Sequence, residues 1–159
     1  MPPWKKTIDN EALWQYIDNG TSETIATDHC PFNTFGQKEL GINDFTKIPN
    51  GAGGIENRVG LMYTYGVLQN KITLNRMVEL CSTNPAKIFG FSSKGKLKVG
   101  YDGDIAIFDP SKVSTISAQN QVSLCDSNIF EGFQINGAFN YVSISRPNKI
   151  QLFDLSQIH

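Results

Sequence analysis

Apolar positions recur at helical spacing in the first part of the chain and at alternating spacing in the last, with the change near residue 92. A helix is predicted over residues 10–18, where Leu13, Trp14 and Ile17 share a face, Asp9 or Asn10 can cap the start and Gly20 suits a left-handed exit. The β-branched run Thr24-Ile25-Ala26-Thr27 then reads as a buried strand that stops at Asp28-His29-Cys30-Pro31, since proline ends further pairing. Residues 32–54 form a polar, irregular stretch with the turn signal Ile48-Pro49-Asn50-Gly51. Loops this long inside compact domains are uncommon and often functional. Helical spacing resumes over residues 55–68, with Ile55, Val59, Met62 and Tyr63 on one face. It continues over 74–81 behind a Thr73 cap, with Met77, Val78 and Cys81 turned inward, and over 83–90, with Pro85 in the first turn and Gly90 closing. From Lys94 the pattern is β: residues 105–110, 122–124, 141–145 and 149–153, the last two flanking the hairpin signal Arg146-Pro147-Asn148. The expectation is an α/β chain, with strand–helix units over residues 1–92 and a β module over 93–159.

Composition adds exclusions. With 159 residues, 40% apolar, 18% charged and a formal net charge of −1, the chain has no basic excess for nucleic acid and no solvating charge block. No apolar run approaches the ~18 residues of a membrane helix, and Met1-Pro2-Pro3-Trp4-Lys5-Lys6 has no signal-peptide core, so the expectation is a cytoplasmic protein without membrane partners. Cys30, Cys81 and Cys125 are widely spaced and lack a C-x-x-C pair, which argues against a zinc knot or disulfide framework. The only histidines are His29 and His159. A dinuclear metal site needs several imidazoles or carboxylates converging on one point, more than this chain supplies alone.

The chemistry-bearing candidate is Asp28, at the C-terminal end of a predicted buried strand, where α/β barrels place their reacting groups. Such a carboxylate binds a metal, shuttles a proton or merely caps the next turn. The stretch Ala26-Thr27-Asp28-His29-Cys30-Pro31-Phe32-Asn33, with Gly36-Gln37-Lys38-Glu39-Leu40-Gly41, Asp44-Phe45-Thr46-Lys47-Ile48-Pro49-Asn50-Gly51 and Gly54-Ile55-Glu56-Asn57-Arg58, resembles the dihydropyrimidinase/hydantoinase family of cyclic amidohydrolases. Ser82-Thr83-Asn84-Pro85-Ala86-Lys87-Ile88-Phe89, Phe130-Glu131-Gly132-Phe133 and the less specific Gly100-x-Asp102-Gly103-Asp104 are similar to the family's closing segments.

The resemblance implies the C-terminal portion of a TIM-like (β/α)8 amidohydrolase barrel followed by part of a flanking β-sandwich. It implies two divalent metals, usually zinc, and a bridging hydroxide that attacks the carbonyl of a small cyclic ureide, in a homo-oligomer that is a tetramer in the family. Asp28 matches a metal ligand that also relays the proton to the departing nitrogen, and Asn50 matches a position whose main chain contacts the substrate's amide edge. The family's His-x-His pair, bridging lysine and two further metal histidines have no counterpart, so the chain is expected to be inactive and metal-free on its own. Allantoinases or dihydroorotases are the sister-activity alternative, but dihydroorotases usually carry another histidine where Cys30-Pro31-Phe32 stands. The non-enzymatic collapsin-response-mediator type loses the metal aspartate, whereas Asp28 is present. Other polar residues read as structural: Lys38 and Lys47 as solvated loop cations, Tyr63 and Tyr65 as packing residues, and Glu56 and Arg58 as no direct pair at i,i+2.

Overall fold

The computed structural model describes residues 6–146 and 149–155. Helix α1 spans Thr7–Asp18. It begins three residues before the predicted start because Asp9 closes the first turn from within, its Oδ2 accepting from the Lys6 amide at 2.8 Å. Trp14 and Ile17 pack on a buried cluster of Met62, Ile72, Met77 and Leu80, while Leu13 is largely exposed. Gly20 makes the left-handed exit at φ +88°. Arg76 fastens the end of this helix, donating from Nε to the Ile17 carbonyl at 2.8 Å and from Nη2 to that of Ser22 at 2.7 Å.

Residues 24–27 join no ladder, unlike the buried strand predicted for them. A strand exists only where a neighbouring strand pairs with its backbone. Here Ile25 N–H reaches only the Leu80 carbonyl at 3.4 Å, and the one bridge nearby pairs His29 with Ala52 in parallel. Helix α2 (Arg58–Met62) continues into a π-helical turn, Tyr63–Val67. Helix α3 (Leu74–Val78) starts at the predicted cap, with Thr73 Oγ1 accepting from the Arg76 amide at 3.1 Å. A second π-helical turn, Glu79–Thr83, leads into α4 (Asn84–Ile88), which has Pro85 in its first turn.

The tail is a three-stranded antiparallel sheet in the order β1-β2-β3, with β1 at Ile105–Thr115, β2 at Gln134–Arg146 and β3 at Lys149–Asp154. The predicted hairpin turn at Pro147 and Asn148 lies outside the described residues. The ladder between β1 and β2 slips between Asp109 and Val113, across Pro110, which has no N–H to donate. Residues 122–124 are irregular instead of a strand, because the Glu56 carboxylate accepts from the Val122 and Ser123 amides at 2.9 and 3.3 Å. Strand β2 lies against the helical run 58–67. Thr64 Oγ1 accepts from the Asn136 amide at 2.8 Å, and the Tyr63 ring meets Phe108 edge-on at 5.2 Å. At the entrance to the sheet, Lys94 pairs with both Asp102 and Asp104, and Asp104 accepts from the Ser145 amide.

The chain exposes 11197 Å², against roughly 7,900 Å² for a compact monomer of its mass. Large apolar side chains stand in that surface, Phe45, Leu97, Val99 and Leu124 among them. The buried cluster is correspondingly small, and Leu80 at its centre is fully enclosed. Leu80→Ala should lower the unfolding free energy by about 2–5 kcal/mol, and Leu124→Ala by less than about 0.5 kcal/mol. Urea denaturation reads both, and equal losses would contradict the placement of the core.

The long loop is anchored from outside by Asp126, whose carboxylate oxygens accept from the Thr34 amide at 2.6 Å and the Phe35 amide at 2.9 Å. The Phe35 and Thr34 N–H groups hold the Asp126 pKa below its ordinary value of 3.8. A depressed carboxylate pKa contributes stability above the ordinary value and loses it as pH falls through the lowered one. The Thr34 and Phe35 amide resonances should therefore titrate together with a midpoint below 3.8. A midpoint at or above that value would show that the carboxylate does not hold the loop.

Candidate functional site

A cavity of about 370 Å³ opens where residues 25–28 meet residues 51–54, with Arg58, Leu61 and Met62 from α2 and the pair Ile129 and Phe130 completing its lining. Asp28 stands on its wall in a left-handed backbone conformation, φ +45°. Few residues other than glycine adopt that region, although aspartate is among those that tolerate it. Strain of this kind concentrates at functional sites. The Asp28 side chain is exposed, and its carboxylate has no hydrogen-bond or ion-pair partner among the described residues. A carboxylate merely capping the following turn would accept from a nearby amide; this one does not.

The residues after Asp28 fasten the opposite wall. The Cys30 amide donates to the Ala52 carbonyl at 3.0 Å. His29 Nδ1 accepts from the Gly54 and Ile55 amides at 3.2 and 3.3 Å, so that nitrogen serves the loop. The two segments come this close because Gly51 has no side chain: a Cβ there would lie 2.2 Å from the Cys30 carbonyl oxygen, and its φ is +144°. Asn50 is exposed and sits at the rim, next to the lining residue Gly51. Its carbonyl meets the Cys30 thiol at 3.8 Å. Asp28 and the main chain after Asn50 are thus brought to one cavity, and the Asn50 side chain is not part of its lining.

Arg58 fixes the near wall, donating from Nη1 to the Ile25 carbonyl at 3.0 Å, while its buried Nε has no partner. Glu56 and Arg58 do not pair; each serves a different backbone segment. Tyr65 OH donates to the Gln134 carbonyl at 3.0 Å, and with Tyr63 on Phe108 both tyrosines act in packing. Lys47 is an exposed loop cation beside Asp44. Lys38 is not: its ammonium turns inward to the carbonyls of Pro49 and Gly51, at 3.1 and 2.9 Å. The available signal was indirect, because a turn-rich loop leaves carbonyls that some donor must satisfy.

Among the described residues the donor set is too small for a metal centre: no three of His, Cys, Asp and Glu are grouped so as to hold an ion. Burial pushes the Cys81 thiol up, with the Arg58 charge opposing, which leaves Cys81 a poor metal ligand or nucleophile. The cavity wall offers one free carboxylate, Asp28, so a metal at this cavity would need most of its ligands from elsewhere. No described helix is long and apolar enough to cross a membrane.

Comparison with known proteins identifies the family. The model of the amidohydrolase family matches residues 5–143. A D-hydantoinase of Geobacillus stearothermophilus is 45% identical over 137 residues, covering 86% of this chain and 29% of that protein. A dihydropyrimidinase of Rattus norvegicus is 42% identical over 151 residues, covering 92% of this chain and 29% of that protein. Among solved structures, the D-hydantoinase of Bacillus sp. AR9 superposes with a TM-score of 0.86 at 46% identity, over 89% of this chain and 31% of that one. The L-hydantoinase of Arthrobacter aurescens gives 0.81 at 34% identity, over 90% and 32%. The chain therefore spans less than a third of these relatives, shares the fold of that part of them, and belongs to the amidohydrolase family.

Proposed function

We propose that this chain is the C-terminal part of a cytoplasmic, metal-dependent hydrolase that opens cyclic ureides such as dihydrouracil and hydantoins. In this reading residues 1–92 close a TIM-like barrel, residues 93–159 supply part of a flanking β-sandwich, and the complete enzyme assembles as a homo-oligomer. The observation that carries the reading is the unpartnered carboxylate of Asp28, held in a left-handed turn on a cavity lined also by the main chain of residues 51–54. The names of the relatives, hydantoinases and dihydropyrimidinases, supply the substrate class. The large exposed apolar surface supports a role as part of a bigger assembly.

In the complete enzyme Asp28 would be one ligand of a pair of divalent metals, zinc in this reading, whose other ligands would lie outside this chain. Such metals acidify a bound water and polarise a carbonyl. The part played by this chain follows from its own groups. The Asp28 carboxylate takes the proton from the attacking water and returns it to the ring nitrogen as the C–N bond breaks, acting first as base and then as acid. The main chain at Asn50 and just after it meets the amide edge of the ring, with the hydrogen-bonded contacts of residues 29 and 30 holding it in place. A ring amide presents one donor and one acceptor side by side, which suits recognition by peptide groups.

Asp28→Asn tests the assignment, because asparagine tolerates the left-handed backbone and caps turns as well as aspartate does. In the complete enzyme, turnover should fall by ~10²–10⁴-fold while the thermal midpoint barely moves. Near-normal turnover would remove Asp28 from the proton relay. The chain by itself should hold no stoichiometric zinc, since it brings one free ligand to the cavity. Elemental analysis that finds two tightly bound metals per chain would contradict this division of ligands.

A further inference from the structure

The position of the Asn50 peptide on the cavity rim rests on a partly buried charge. Lys38 opens a 3-10 turn, Lys38–Gly41, more than ten residues before Asn50 in sequence. Its Nζ donates to the carbonyl oxygens on both sides of Asn50, those of Pro49 at 3.1 Å and Gly51 at 2.9 Å. The ammonium is partly buried, lies 5.6 Å from the centre of the Phe32 ring and is in none of the ion pairs among the described residues. The turn that carries it has little room to move. A Cβ on Gly41 would lie 1.8 Å from Ile48 Cγ1, so this turn sits directly on the segment leading to Asn50. The Lys38 amide also donates to the Asn33 carbonyl at 3.0 Å, close to the Asp126 anchor.

We propose that Lys38 is a positioning residue for substrate recognition, fixing the Asn50 main chain through the two carbonyls that flank it. The inference rests on the function proposed above and deepens it by naming what sets the grip on the ring amide. Two effects follow from the geometry. A lysine ammonium has three donors, and spending two on the carbonyls of residues 49 and 51 orients both peptide units around Asn50. The peptide that presents the Pro49 carbonyl also carries the Asn50 N–H. A cation on the oxygen draws electron density across that peptide and makes its N–H a stronger donor toward a substrate carbonyl. Because this grip acts on bound substrate and not on the proton relay, its loss appears mainly in KM.

The test uses Lys38→Met, Lys38→Gln and Lys38→Arg in the complete enzyme, with dihydrouracil and hydantoin as substrates. Lys38→Met keeps the aliphatic stem and removes the charge. It should raise KM on the order of tenfold or more, as expected for lost charge-assisted hydrogen bonds, with a smaller change in kcat and unchanged metal content. Lys38→Arg, which retains charge and donors, should recover part of the loss. If Lys38→Met does not fold, Lys38→Gln carries the same expectation. Wild-type KM in the folded uncharged variant overturns the proposal, and so does a loss confined to kcat or to metal content. Amide hydrogen exchange separates this proposal from the activity reading beneath it. If the unmodified enzyme opens neither ring, the function assigned above has failed. The tether to Asn50 is then upheld by faster exchange at residues 50–52 in the uncharged variant, and rejected by unchanged exchange there.

Discussion

The site depends on the close approach of two backbone segments, 28–30 and 50–54, and that approach depends on the absence of a side chain at Gly51. With the Cys30 carbonyl only 2.2 Å from where a Cβ would stand, no other residue fits without moving one segment. Around this contact the remaining bonds are arranged as a clamp: the Cys30 amide on Ala52 and the His29 ring nitrogen on Gly54 and Ile55. The chain turns into this clamp at Asp28, whose left-handed conformation puts its carboxylate on the cavity wall. The strain at Asp28 is offset by the clamp that follows it, a common arrangement where a reacting group must be held in an unfavourable backbone geometry.

Everything outside the clamp acts as support at increasing distance. Arg58 fixes the segment before Asp28 by its carbonyl at Ile25, and Glu56, two residues earlier, fixes residues 122 and 123. The segment around residue 126 in turn holds the far end of the long loop through Asp126 and Asn33. The loop is therefore exposed yet tied at both ends. The helical run 58–67 carries the base of the cavity and also backs β2, so the sheet of the tail and the cavity share one support.

Local signals were legible in the sequence where chemistry and conformation coincide. The Thr73 cap, the first-turn Pro85 and the exits at Gly20 and Gly90 each depend on a few adjacent residues, and each appears as read. Asp28 was singled out chiefly by the resemblance of residues 26–33, and it stands on the cavity wall. Features set by distant partners were not legible. The first half of β2, with Gln134, Asn136 and Gly137, carries little strand signal and exists because it pairs with β1 and leans on Thr64. Residues 122–124 looked like a strand, yet the Glu56 carboxylate takes their amides. Lys38 looked like a solvated cation because nothing in its neighbourhood reveals the carbonyls at 49 and 51 to which it donates.

The central claim is that the contact between residues 28–30 and 50–54 builds the substrate-binding wall of a cyclic-amide hydrolase. Its most direct test is Gly51→Ala in the complete enzyme, measured as kcat/KM for dihydrouracil together with metal content and thermal midpoint. The added methyl group must push the two segments apart, and misplacement of a reacting group by about an ångström can cost on the order of 10²-fold. The account predicts a loss of that order in kcat/KM with metals bound and the fold intact. A Gly51→Ala enzyme with wild-type kcat/KM would contradict it.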